Sequence, residues 1–154
     1  MDAHQLLALA RDRTHDGRAS LSHAVSNLLL DEGFVNKPVE RRLILEILAQ
    51  IVRNIEASVR QQLGLLLSTM EDVPAQLIRD LADDTIDIAF PILAHSPVLS
   101  DPDLLAVIRA HAAEHHSAIA SRKYLGESVS DALIATGDTG VVCQLLKNHD
   151  AIIS

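Results

Sequence analysis

Apolar residues return every three or four positions through most of this chain, the period of a helix with one buried face. Leu6, Leu7, Leu9 and Ala10 predict a short first helix, closed by the turn residues Thr14 to Gly17. Leu21, Val25, Leu28 and Leu29 then fall on one face at i, i+4, i+7 and i+8, with Ser22, Ser26 and Asn27 turned away. The longest stripe is Leu43, Ile44, Ile47, Leu48, Ile51, Val52 and Ile55, introduced by Asn36 as a cap and Pro38 in the first turn. Ala57 to Met70 follows, apolar almost all round in its second half, which predicts burial between neighbours. Asp72 caps a helix starting near Pro74 that carries Leu77, Ile78 and Leu81 and stops at Asp83 and Asp84.

From Ile88 a longer period is superimposed. IAFPILAHSPVLS (88–100) is an apolar helix with Pro91 inside it, a polar break, an apolar pair and a helix-start residue. The same plan returns in IASRKYLGE (119–127) and in LLKNHDAIIS (145–154). Its anchors Leu99, Leu125 and Ile153 are 26 and 28 residues apart (125−99 and 153−125). A period in that range marks stacked two-helix repeats. Ser100 is placed to cap the next helix, with Pro102 in its first turn and Asp103 reaching back, while Gly126 takes the Ser100 position one period later. The third copy stops at Ser154 with no second helix after it, so the chain is expected to be the N-terminal part of a longer protein. It reads as one domain over 1–154, irregular over 1–84 and regular over 85–154.

Composition narrows the core. Hydrophobic residues make up 48% of the 154 and aromatic ones 2%, so Leu, Ile, Val and Ala must fill the interior. A net charge of −8 repels phosphate backbones, and no basic stripe with interleaved aromatics offsets it, so no nucleic-acid partner is expected. The lone Cys143 allows no internal disulfide and fits a reducing, cytoplasmic setting. The start MDAHQLLALARDR has neither the length nor the flanks of a signal peptide. Leu43 to Leu67 is interrupted by Glu46, Arg53, Glu56 and Arg60, which argues against a membrane span.

Taken together, LARDRTHDGRASLSHAVSNLLL (9–30), RRLILEILAQIV (41–52), VRQQL (59–63) and HSPVLSDPDLLAVIR (95–109) resemble an uncharacterised bacterial family, a domain of unknown function with HEAT-like helical repeats. The resemblance covers nearly the whole chain. It implies an all-α fold, a right-handed superhelical array of antiparallel helix pairs with about ten helices, and it supplies no activity and no catalytic residues. Gly126 in place of a polar cap, and Thr139-Gly140 at the start of the last helix, depart from the pattern and predict looser C-terminal repeats.

Candidate chemistry is sparse. His111-Ala112-Ala113-Glu114-His115 fits the H-x-x-E-H string of one zinc metalloprotease class, in which two histidines on one helix face bind zinc and the acid activates water. Here the string falls where one helix ends and the next begins, and only 39 residues (154−115) remain to supply a third ligand. His111, His115 and His116 are therefore the metal candidates, but a solvated connector is the preferred reading. His95, His115, His116 and His149 sit at repeat breaks and could line up on one edge of the array to bind a metal or respond to pH, but histidines in polar turns read first as ordinary surface residues. Cys143 reads as a small buried hydrophobe, and the basic pairs Arg41-Arg42 and Arg122-Lys123 as solvated faces. Ser22, Ser26 and Ser58 lack the strand-to-helix elbow of a serine nucleophile.

The expectation is a non-enzymatic protein-interaction scaffold without a cofactor, with Leu43, Ile47, Ile51 and Ile55 as its surface and as a route to a homodimer. A ligand- or metal-sensing regulatory module is the alternative. An enzyme is not expected: a zinc hydrolase would need the string on one helix and a third ligand downstream, and a DNA glycosylase fits the charge and the aromatic content poorly.

Overall fold

The computed structural model describes residues 15–29 and 37–148, together with Gln5, Leu6, Ala8 and Arg11. Among these residues there are nine α-helices and no strand. They are α1 (His15–Leu29), α2 (Pro38–Ile51), α3 (Ala57–Leu67), α4 (Ala75–Ala82), α5 (Ile86–His95), α6 (Asp101–Ala110), α7 (Ala113–Ala120), α8 (Glu127–Ala135) and α9 (Thr139–Lys147). A 3-10 turn, Val52–Asn54, joins α2 to the connector before α3. Leu7, Leu9, Ala10, Gly33, Asn36, His149, Ile153 and Ser154 lie outside the described residues.

Apart from α4 and α6, each helix packs on the one two places along. The odd helices α1, α3, α5, α7 and α9 form one continuous layer. In the other layer α2 packs on α4 and α6 on α8, while α4 and α6 barely touch. The layers meet where α4 lies on α5, α6 on α7 and α8 on α9. One core runs between them, built from Leu, Ile, Val and Ala as the composition requires. No described helix is long and apolar enough to cross a membrane.

Local signals place the helix ends well. Ser100 caps α6 with a capping box: the Asp103 amide donates to Ser100 Oγ (3.4 Å) and the Ser100 amide to Asp103 Oδ2 (3.1 Å). Asp138 steadies α9, accepting from the Val141 amide at 3.1 Å, so Thr139-Gly140 does not leave that helix uncapped. Gly126 is the N-cap of α8 and makes no side-chain cap bond. A Cβ there would stand 2.9 Å from Asp101 Oδ2, so the carboxylate of α6 lies against the start of α8, near its positive end. Two expected caps differ: α2 starts from Lys37 and α4 from Pro74, neither with a side-chain cap bond.

Burial corrects several faces. Ser22 is buried, and its Oγ accepts from the Glu56 amide at 2.9 Å, tying α1 to the start of α3. Leu65 points to solvent, although Leu63 and Leu67 are fully buried on the other side of α3. Cys143 is exposed, because Val141 and Leu145 define the inner face of α9 and a residue two positions from Val141 turns away from it. Pro91 is buried inside α5 and faces α3 at Gly64.

Gly64 sets the spacing of α3 and α5. A Cβ there would lie 3.0 Å from the Ile88 carbonyl oxygen, a backbone atom that cannot swing aside. Gly64→Val should therefore destabilise the protein by about 1–3 kcal/mol in urea unfolding. Unchanged stability would show that the two helices can separate freely.

Candidate functional site

The polar residues collect at the connectors, on two opposite edges. Arg60 Nε donates to Asp84 Oδ2 at 2.8 Å, and Asp84 precedes α5, so the starts of α3 and α5 lie together. His115 at the start of α7 bonds to the Asp84 carbonyl at 2.8 Å, which brings a third start to the same edge. At the other edge Arg122, just past α7, donates to the carbonyls of Leu93 and Ser96 at the end of α5, each at 2.7 Å. Asn148, past α9, donates to Ala120 O at 2.9 Å and to Arg122 O. The helices of the odd layer thus run parallel, with starts on one edge and ends on the other.

His111, His115 and His116 are all on the start edge, and each is already engaged. His111 is the C-cap of α6, and its Nε2 meets Asp83 Oδ1 at 3.1 Å. His115 and His116 belong to α7, and their Nε2 atoms meet the carbonyls of Asp84 and Ile108, both at 2.8 Å. A carbonyl only accepts, so in both rings Nε2 carries the hydrogen. The His111 and His115 rings stack with centroids 4.0 Å apart and planes 10° from parallel. The H-x-x-E-H string is thus broken by the α6–α7 connector, and its histidines fasten that connector to the one between α4 and α5. Among the described residues no group of three or more His, Cys, Asp or Glu side chains could hold a metal ion.

The expected histidine edge divides. His95 ends α5 whereas His115 and His116 begin or nearly begin α7, so His95 lies on the opposite edge, and His149 lies outside the described residues. The expected apolar surface also changes. Ile47 and Ile51 are 6% and 7% exposed and Ile55 is fully buried, all within the chain's own core, while Leu43 is 49% exposed. The stripe is wide because α2 ends at Ile51 and the 3-10 turn carries Ile55 inward, so its residues cover α4 and the core instead of forming one outward face. Its role as a docking or dimer surface therefore falls away. Val39 and Leu43, one turn apart, are the exposed apolar pair on α2.

Beside the histidines lies a cleft of about 300 Å³ lined by Val52, Arg53, Arg60, Asp80, Asp83 and Asp84. Arg60 grips Asp84 through two nitrogens (2.8 and 3.4 Å) and donates to Ile55 O at 2.6 Å, with both charged side chains mostly shielded. Arg53 meets Asp80 at 3.3 Å from a position 84% exposed. Sequence alone does not pair these residues, because the partners are 24 and 27 positions apart and only the packing of α4 against the chain near α3 brings them together.

Arg122 is half-buried, unlike the solvated face expected of Arg122-Lys123. Its guanidinium is partly buried, which pulls its pKa below the ordinary value, while the nearby charge of Asp101 pulls the other way. It remains charged at any physiological pH. The nucleophile candidates gain no partner of the kind catalysis needs. Ser22 is used in the core, Ser26 donates to Gln62 at 3.2 Å, and Ser58 is exposed on α3.

With this geometry in place, comparison adds one match. A family model described as an uncharacterised protein conserved in bacteria (DUF2336) matches residues 88–154. This part of the chain is similar to that family. The match starts at Ile88, where the repeated string of the sequence starts, so segments 9–30, 41–52 and 59–63 of the resemblance fall outside it. Neither curated proteins nor solved structures gave a match.

The two ion pairs of the cleft should differ in weight. Asp84→Ala leaves a shielded guanidinium unmatched and should cost about 2–3 kcal/mol of unfolding free energy. Arg53→Ala, at an open position, should cost less than about 1 kcal/mol. Equal costs in urea unfolding would contradict the structural role given to Arg60 and Asp84.

Proposed function

We propose that this chain is a HEAT-like helical array acting in the cytoplasm as a non-enzymatic protein-interaction module. The observation that carries the reading is how the side chains are spent. The groups with chemical potential, His111, His115, His116, Arg60 and Arg122, are held in bonds between connectors. Large apolar side chains are left facing solvent on the helices, among them Val39, Leu65, Phe90 and Leu146. A partner that brings its own helix or strand could pack on such positions.

Two further facts support a repeating array. Apart from α4 and α6, helices pack two places apart, and two connector bonds share one step: Ser96 to Arg122 and Arg122 to Asn148 are both 26 residues (122−96 and 148−122), while their companions to Leu93 and Ala120 span 29 and 28. The N-caps Ser100 and Gly126 have the same spacing (126−100). Equivalent positions that bond in succession are what a stacked repeat requires. The sensor alternative has less support, because the cleft beside the histidines is lined by five charged residues and one Val, the reverse of a small-molecule pocket.

Crosslinking in the source cell followed by affinity isolation of the full-length protein tests the reading. A defined protein partner captured in constant ratio is the expected result. Recovery of a small molecule or a metal ion, with no protein, would overturn it.

A further inference from the structure

Among the described residues, α3 and α1 from Ala19 on show solvent a face without acids, lysines or arginines. On α3 the exposed residues are Ala57, Ser58, Gln61, Gln62 and Leu65, a stripe turned away from the buried Val59, Leu63 and Leu67. The one charged residue of α3, Arg60, is half-buried and committed to Asp84. On α1 the exposed residues are Ala19, Ser20, His23 and Asn27. The two stripes join, because α1 packs on α3 and Ser26 Oγ donates to Gln62 Oε1 at 3.2 Å across the seam. Each of the other helices exposes at least one acid, lysine or arginine, from Glu40 on α2 to Lys147 on α9. Leu65, 62% exposed, is the large apolar side chain of the uncharged face.

We propose that the α1–α3 face is the contact of a homodimer, in which a second copy of this chain lays the same face against it about a two-fold axis. Charge selects this occupant. Each copy carries −8, so two copies repel where their charged faces meet and approach best where charge is absent. A strongly basic or acidic partner finds no countercharge here, whereas a second copy brings a face that needs none. Glutamine, asparagine and serine side chains both donate and accept hydrogen bonds, so the face can pair with itself, as an isologous contact requires. Leu65 supplies the apolar contact between them. The two helices are 15 and 11 residues long, which makes the face about 20 by 20 Å. Two such faces bury on the order of 1,000 Å², the low end for specific interfaces, so the dimer is weak and forms as concentration rises.

The test is sedimentation velocity of the full chain from low to high micromolar concentration. The mass should move from one chain towards two, and added salt should tighten the dimer by screening the repulsion between like-charged copies. Leu65→Glu and Gln61→Glu each place a charge on the face at an exposed position and should weaken the dimer roughly tenfold or more, with the helical circular dichroism of the wild type. Leu43→Glu, at an exposed apolar position on α2, should dimerise as the wild type does. A single-chain mass at the highest concentration, a dimer weakened by salt, wild-type dimerisation of both Leu65→Glu and Gln61→Glu, or loss of the dimer in Leu43→Glu would each overturn the proposal. Those results leave the interaction reading intact, since capture of a partner tests it separately.

Discussion

A helix ends in carbonyls that nothing inside it can satisfy, and a stack of short helices multiplies such ends. In this protein the next helical pair supplies the donors. Arg122 reaches back 29 and 26 residues to the carbonyls of Leu93 and Ser96, and Asn148 reaches back to those of Ala120 and Arg122. The ends of α5 and α7 are finished in this way, by residues just past α7 and α9. Because the donors come from the following connector, they also fix how far apart successive odd helices stand, and with them the core beneath.

The opposite edge works by the same logic with different residues. Arg60, Asp84, His115 and His111 join three helix starts through one ion pair, one carbonyl and one stacked ring pair. These are residue types that catalysis also uses, and their sequence pattern even fits a zinc motif. The distances place them in fastening roles. A side chain already committed to a carbonyl on a neighbouring connector must break that bond before it can do anything else.

What the sequence made legible is what depends on near neighbours. The capping box at Ser100, the stop at Asp83 and the break through H-x-x-E-H all follow from residues close together in the chain. What it hid depends on the even and odd layers. His95 and His115 look equivalent as turn histidines, yet one ends an odd helix and the other begins one, which puts them on opposite edges. Ile47 and Ile51 look like surplus apolar surface until α4 covers them, and Ser22 looks solvated until Glu56 arrives from 34 residues away. Arg122 reads as half of a basic surface pair because no local pattern announces carbonyls 29 and 26 residues back.

The central claim is that polar side chains past α7 and α9 complete the ends of the preceding odd helices, α5 and α7. The unfolding free energy of Arg122→Met in urea tests it most directly. Methionine keeps much of the apolar stem and removes both donors, so the Leu93 and Ser96 carbonyls lose their partner, and the account predicts a loss of about 2 kcal/mol or more. Wild-type stability for this variant would contradict it.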